Sequence, residues 1–197
     1  GSKCLKPATL VVTLGQQIMF MGVSAHTGSA PLSQMQVTEI DIRTDEELVE
    51  IVRQGRKAVA AWRRKNPDVV LDLVDADLSE IDLAGVNLRR SQMVGAKMNR
   101  SRLTGGNFAG VDLTRADLSG AEVSRVNFSG SRLFRATLTG IRGESTNFSR
   151  AVLQGGDLSD SVLSEASFLD ADLQETDLAG AELLGVDFSH AELDRAN

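Results

Sequence analysis

From Leu71 onward the chain advances in steps of five residues, and no other feature limits so strongly what it can fold into. Ala76-Asp77-Leu78-Ser79-Glu80, Ala116-Asp117-Leu118-Ser119-Gly120 and Ala171-Asp172-Leu173-Gln174-Glu175 show the unit. Its middle residue falls on every fifth position from Leu73 to Leu193 without an insertion, and is Leu, Met, Phe or Val except at Gly143. Two residues earlier stands a small or β-branched residue, as at Ala76, Val86, Ser91, Ala96, Ala116, Ala136, Thr146 and Ala166. The other positions are mostly polar or Gly. A period of five matches neither a helix at 3.6 nor a strand at 2.0. A fixed short repeat sustained over this length describes a solenoid.

The units follow A-(D/N)-L-x-x, and residues 71–197 thereby resemble the pentapeptide repeat family. The resemblance implies an all-β solenoid: a right-handed quadrilateral β-helix, one pentapeptide per side and four per coil. The sequence supplies its own check on four sides, because residues 20 apart should then stack. Phe108, Phe128, Phe148, Phe168 and Phe188 keep that spacing, and Leu88 begins their column. Before them run Asn87, Asn107, Asn127 and Asn147, then Ser167 and Asp187. Coils spaced like paired strands, about 4.8 Å apart, enclose a narrow bore with room for one aromatic column. That accounts for a chain with no Tyr and only 4% aromatics. Gly143 should leave a gap that Ile141 fills, or else mark a bulge at residues 142–144.

Ahead of the repeats, residues 37–43 alternate like a strand. Thr44 and Glu47 then form a capping box. Leu48, Val52, Val59 and Trp62 follow at helical spacing until Asn66-Pro67 stops the helix. The segment 55–67 resembles a lead-in found before such repeats. An amphipathic helix carrying the chain's one Trp suits an N-terminal α-helical cap, since an open solenoid end exposes unpaired backbone and apolar interior. Residues 1–36 read as a tag remnant, Gly1-Ser2, and a weakly structured extension, residues 37–70 as strand and cap, and residues 71–197 as about six coils. The apolar stretch 8–23 is too short and too polar for a spanning helix, so no membrane partner is expected. Lys3, Lys6 and the segment 24–30 imitate a secretory signal; without it the chain is cytoplasmic. At the far end the chain stops in mid-repeat, so either the sequence is cut short or another chain covers the last coil. In relatives whose dimers are known the C-terminal ends meet, and the resemblance therefore implies a homodimer through the C-terminal coil.

Charge is banded. Residues 151–197 hold eleven acids against Arg195, a net −10; residues 89–150 hold eleven bases against four acids, a net +7. Asp82, Arg102, Glu122 and Arg142 alternate in one column, as do Asp77, Lys97 and Asp117 in another, which suits a self-stabilising surface. In the last coils Asp157 stacks on Asp177 and Asp172 on Glu192, while Arg115 stacks on Arg135. These six are the candidate interaction residues, the Phe column is the candidate core, and Trp62 is the candidate plug.

The expected function is a non-catalytic protein-interaction scaffold with no cofactor and no metal. Cys4, His26 and His190 are the only Cys and His residues, and a filled rod offers no concave site for convergent acid–base groups. The resemblance also implies an alternative, a DNA mimic that binds a type II topoisomerase, DNA gyrase or topoisomerase IV, and protects it from quinolone-like poisons. The acidic band approaches the charge density of a duplex, one charge per about 1.7 Å. The basic middle and the uninterrupted register count against it. Direct nucleic-acid binding is disfavoured because acids flank the basic band and Phe134 is the lone outward aromatic.

Overall fold

A computed structural model describes residues 9–14, 17–22 and 45–197, and the chain divides into two units, residues 1–42 and 43–197. In the first unit, β1 (Thr9–Leu14) and β2 (Gln17–Gly22) form an antiparallel pair, with Thr9 opposite Gly22 and Leu14 opposite Gln17. Both are rich in β-branched and large apolar residues that favour strands. The expected strand at 37–43, the Thr44 end of the capping box, the signal-like segment 24–30, Cys4 and His26 lie outside the described residues.

In the second unit each coil of the β-helix is a parallel neighbour of the next, through bridges joining residues 20 apart from Asp72–Gln92 to Asp172–Glu192. One pentapeptide shows how its amides are used. The Leu73 N–H donates to the Gln92 carbonyl at 2.8 Å and the Asp75 N–H to the Val94 carbonyl at 2.8 Å. The Gln92 N–H returns to the Leu71 carbonyl at 2.9 Å, and the Ala76 N–H closes the corner on the Leu73 carbonyl at 3.2 Å. At each corner, from Asp75 to Arg195, every fifth residue takes a positive φ between 53° and 72°. Gly fills many of these corners, as at Gly105 and Gly120, because it alone enters this region without a Cβ penalty; Arg fills several others.

Leu and Phe side chains line the interior. Phe108, Phe128, Phe148 and Phe168 are fully buried, and Phe188 is partly so. Successive ring centroids lie 4.9 to 5.3 Å apart, the last three pairs stacked within 10° of parallel. Gly143 leaves no open space beside it. Ile141 is fully buried, and a methyl at Gly143 would come within 2.5 Å of Thr146 Oγ1 and 2.7 Å of Val123 Cγ2. The backbone there runs extended as β3 (Arg142–Glu144), parallel to β4 (Val162–Ser164) on the next coil.

The cap is two helices where the sequence suggested one: α1 (Asp45–Arg53) and α2 (Arg56–Lys65). Gly55, with φ of 82°, turns the chain between them. Leu48, Val52, Val59 and Trp62 are buried in one cluster with Leu71 and Leu73. The carbonyls of the first coil have no preceding coil, and arginines of the cap take that place. Arg53 Nη2 donates to the Asp77 carbonyl at 2.8 Å; Arg63 Nε donates to that of Asn87 at 2.8 Å, and its Nη2 to that of Arg89 at 3.0 Å. Burial among these groups and the nearby Arg89 charge lower the Arg63 pKa. At Asn66 the side-chain amide donates to the Trp62 carbonyl at 3.0 Å and ends α2.

Candidate interaction surfaces

Four of the five amides in a pentapeptide are engaged by the backbone, which leaves the residue after the inward Leu without a partner. The Asp or Asn of the consensus supplies it. The Val74 N–H donates to Asp72 Oδ1 at 3.2 Å, and the Ser79 N–H to Asp77 Oδ1 at 3.1 Å. The Ser129 N–H donates likewise to Asn127 Oδ1 at 2.9 Å. This is an Asx turn, a side-chain carbonyl standing in for a main-chain one. The same contact occupies Asp157, Asp172 and Asp177, which accept from the Ser159, Gln174 and Ala179 N–H groups at 2.9, 3.0 and 2.9 Å. Three of the four acidic candidates thus hold the backbone as well as carrying charge. Asp157 also accepts from Thr139 Oγ1 at 2.9 Å. Its desolvation, which raises the pKa, is outweighed by the Ser159 and Thr139 bonds, and the carboxyl sits below its ordinary value. Glu192, one methylene longer, instead accepts from Gln174 Nε2 at 2.6 Å.

In the middle coils the slot is used differently. Lys97, Arg102, Arg132 and Arg142 occupy it, and none can accept an N–H. Arg102 has partners along its column, Asp82 at 3.1 Å and Glu122 at 3.9 Å. Among the described residues Arg132 and Arg142 make no ion pair. Neither do Arg115 and Arg135, both exposed at corners of one column. The Arg135 guanidinium lies over the half-buried Phe134 ring, 5.1 Å from its centroid. The ion pairs that do form sit mainly toward the two ends, Arg100–Glu80, Arg150–Asp170 and Arg195–Glu175 at 3.4, 3.7 and 3.2 Å.

An open groove of about 620 Å³ runs between the start of α2 and the first coils, lined by Arg56, Lys57, Asp82 and Arg102 among others. His190 is exposed at a corner, with φ of 59°. No group of acidic, His and Cys side chains among the described residues has the arrangement of a metal site, and no helix among them is long and apolar enough to cross a membrane.

The family model for pentapeptide repeats matches eight copies in overlapping stretches that together span residues 72–197. The chain belongs to the pentapeptide-repeat family. Its fold is that family's right-handed quadrilateral β-helix, with a small helical region before it. Solved pentapeptide-repeat structures resemble it at low identity. HetL, a protein involved in heterocyst differentiation regulation in the cyanobacterium Nostoc sp. strain PCC 7120, is 23% identical, covering 64% of this chain and 73% of its own, with a TM-score of 0.36. Rfr23 from the cyanobacterium Cyanothece 51142 is 18% identical over 68% of this chain and 97% of its own, TM-score 0.47. QnrB1, a plasmid-mediated fluoroquinolone resistance protein, is 17% identical over 66% and 78%, TM-score 0.41. No curated protein sequence matches the chain.

Within the pentapeptide-repeat frame, the six charged candidates do not form one site. Arg115 and Arg135 share a corner column, and Asp172 and Glu192 lie further along the same side. Asp157 and Asp177 belong to the next side. Two further residues stand out, Arg132 and Val152. The signal for both was present: each replaces Asp or Asn in a slot where those residues serve the backbone.

Proposed function

We propose that this pentapeptide-repeat chain is a non-catalytic interaction scaffold that works in the cytoplasm and binds a protein partner through its outward columns. One observation carries the reading. In the middle coils, outward slots that elsewhere hold the backbone are given to Lys97, Arg102, Arg132 and Arg142, side chains that do nothing for the turn they sit on. Giving up a local hydrogen bond of about 0.5–1.5 kcal/mol for an exposed charge suits a surface that meets something else. Asp substitutions at Arg102, Arg132 and Arg142 restore the turn contact and reverse the charge together. The purified chain, used as bait, should retain a protein that this triple variant does not. Equal retention by both, or by neither, overturns the reading.

Self-association belongs to the same proposal. The last coil leaves Leu178, Leu183 and Phe188 only partly covered and Leu193 42% exposed, an apolar end suited to the same end of a second copy. Sedimentation should show a dimer that Leu193→Asp dissociates; an unchanged mass removes this part.

A second reading, a topoisomerase-binding DNA mimic, is favoured by the like-charge stacks Asp157 on Asp177 and Asp172 on Glu192 and opposed by the basic coils before them. Gyrase supercoiling, with and without a fluoroquinolone, tests it, and no effect at micromolar protein sinks it.

A further inference from the structure

The side of the β-helix that begins each coil carries, outward, the columns Asp72, Gln92, Asp112, Arg132, Val152, Asp172, Glu192 and Val74, Val94, Thr114, Phe134, Gln154, Gln174, Asp194. At its corner run Asp75, Gly95, Arg115, Arg135, Gly155, Glu175 and Arg195. Cations and apolar groups collect at one place along this side. Arg132 and Arg135 flank Phe134, with Arg115 one coil before and Val152, 37% exposed, one coil after.

Three features separate this patch from an ordinary solvated face. None of the three arginines has an ion pair among the described residues, although Asp172 and Glu175 lie on the same columns. Those two acids are two coils away, about 10 Å by the coil spacing, and Asp112, on the coil before Arg132, makes no ion pair with it and accepts instead from the Thr114 N–H and Oγ1 at 3.0 and 2.6 Å. Arg132 and Val152 both stand where Asp would have bonded the amide two residues on, that of Phe134 or Gln154. Phe134 is the lone outward aromatic of the β-helix, and a guanidinium stacked on its face fixes charge beside apolar surface. The adjacent side also has a cationic pair, Lys97 and Arg100. There Arg100 pairs with Glu80, and Lys97 has an acid on both neighbouring coils, Asp77 and Asp117, where Arg132 has one, Asp112.

We propose that this patch docks a short acidic segment of a partner protein carrying one large apolar residue between its carboxylates. The apolar residue would rest on Phe134 and Val152, and the carboxylates would meet Arg132, Arg135 and Arg115. This rests on the scaffold reading and names the chemistry of the partner. The patch extends over three coils, about 10 Å along the rod, the length of a few extended residues. Asp72 and Asp75 on one side and Asp172, Glu175 and Glu192 on the other would repel the phosphates of a nucleic acid continuing past it. A short acidic peptide meets only the nearest acids, Asp112 and Asp172, whereas a duplex continues past all of them.

Fluorescence anisotropy with a labelled Asp-Asp-Phe-Asp-Asp peptide and the full chain tests this. Binding should weaken at least tenfold, an order typical of losing a charged contact, in Arg132→Asp and in Arg135→Glu. Arg132→Asp restores the turn contact to the Phe134 amide, so an unaltered melting temperature would show that lost binding is not lost folding. Replacing the central Phe of the peptide by Ala should weaken binding too. The assignment is overturned if the peptide does not bind, if either arginine variant binds it equally, or if a short DNA duplex competes at lower concentration. It is also overturned if Arg132→Asp abolishes self-association in sedimentation, which would make a second copy the occupant. A partner retained by the bait but indifferent to both substitutions would leave the scaffold standing and remove only this surface.

Discussion

At its N-terminal end the β-helix hands its carbonyls to Arg53 and Arg63 and its interior to Trp62, which is 6% exposed. At its other end the inward Leu193 is 42% exposed, and Leu178, Leu183 and Phe188 are only partly covered. Leu73 and Leu193 hold the same place in the repeat and the same column, yet Leu73 is buried. The comparison shows that the repeat does not set how much a residue contributes. A coil is stabilised by what lies above and below it, as expected where neighbouring repeats supply the stability. Helices α1 and α2 do the work of a missing coil with different chemistry, guanidinium groups replacing amides.

Removing the plug should have the largest effect. Trp62→Ala is expected to cost about 3–5 kcal/mol, seen as an earlier urea midpoint, and a smaller loss would mean that the cap contributes little. Next comes the matched pair. Leu73→Ala should cost about 2–5 kcal/mol, while Leu193→Ala, already half in water, should cost less than about 1 kcal/mol. Equal losses would erase the difference between the ends. Arg63→Ala uncovers the Asn87 and Arg89 carbonyls and should cost about 1–3 kcal/mol. Amide exchange should then rise in the first coil and not in the last.

The smallest effect is on pH dependence. Asp77 near the cap and Asp187 in the last coil both have pKa values below the ordinary carboxylate, chiefly through hydrogen bonds from Ser79 and Ser189. With the folded pKa below the unfolded one, near 3.9, the unfolded chain binds more protons between the two. The contribution is complete above about pH 4 and is lost as pH falls through the folded value. Asp77→Asn keeps an acceptor for the turn and should flatten the acid limb of the stability curve. Asp187→Asn should flatten it less, because local opening of the last coil brings that carboxyl toward its unfolded pKa. A larger effect at Asp187 would reverse the comparison.

The five-residue register and the 20-residue Phe column carried the architecture on their face, because the bore admits only certain residues at fixed intervals. The break at Gly55 was less visible, since Val52 and Val59 keep helical spacing across it and only a backbone dihedral separates the helices. The Asp of the consensus could be read as charge or as a hydrogen-bond acceptor, and letters do not distinguish the two. With the Val74–Asp72 geometry known, the acidic band loses part of its meaning as a recognition signal. The substitutions that break the pattern, Arg132 and Val152, gain it. At Gly143 the residue type suggested empty space, whereas the extended backbone of β3 brings Thr146 and Val123 close enough to leave none.

Four units to a coil make insertions and deletions angular events. Deleting twenty residues would shorten the rod by one coil and leave every later residue on its original side. Deleting five would turn everything downstream through a quarter circle. With residues 136–140 removed, Phe148, Phe168 and Phe188 would leave the column of Phe108 and Phe128, Val152 would part from Arg132 and Arg135, and the acidic coils would face a new direction relative to the cap. Variation by whole coils adjusts reach, and variation by single units redirects what the rod presents. Length and heading in this molecule can therefore be altered separately, by changing the sequence in twenties or in fives.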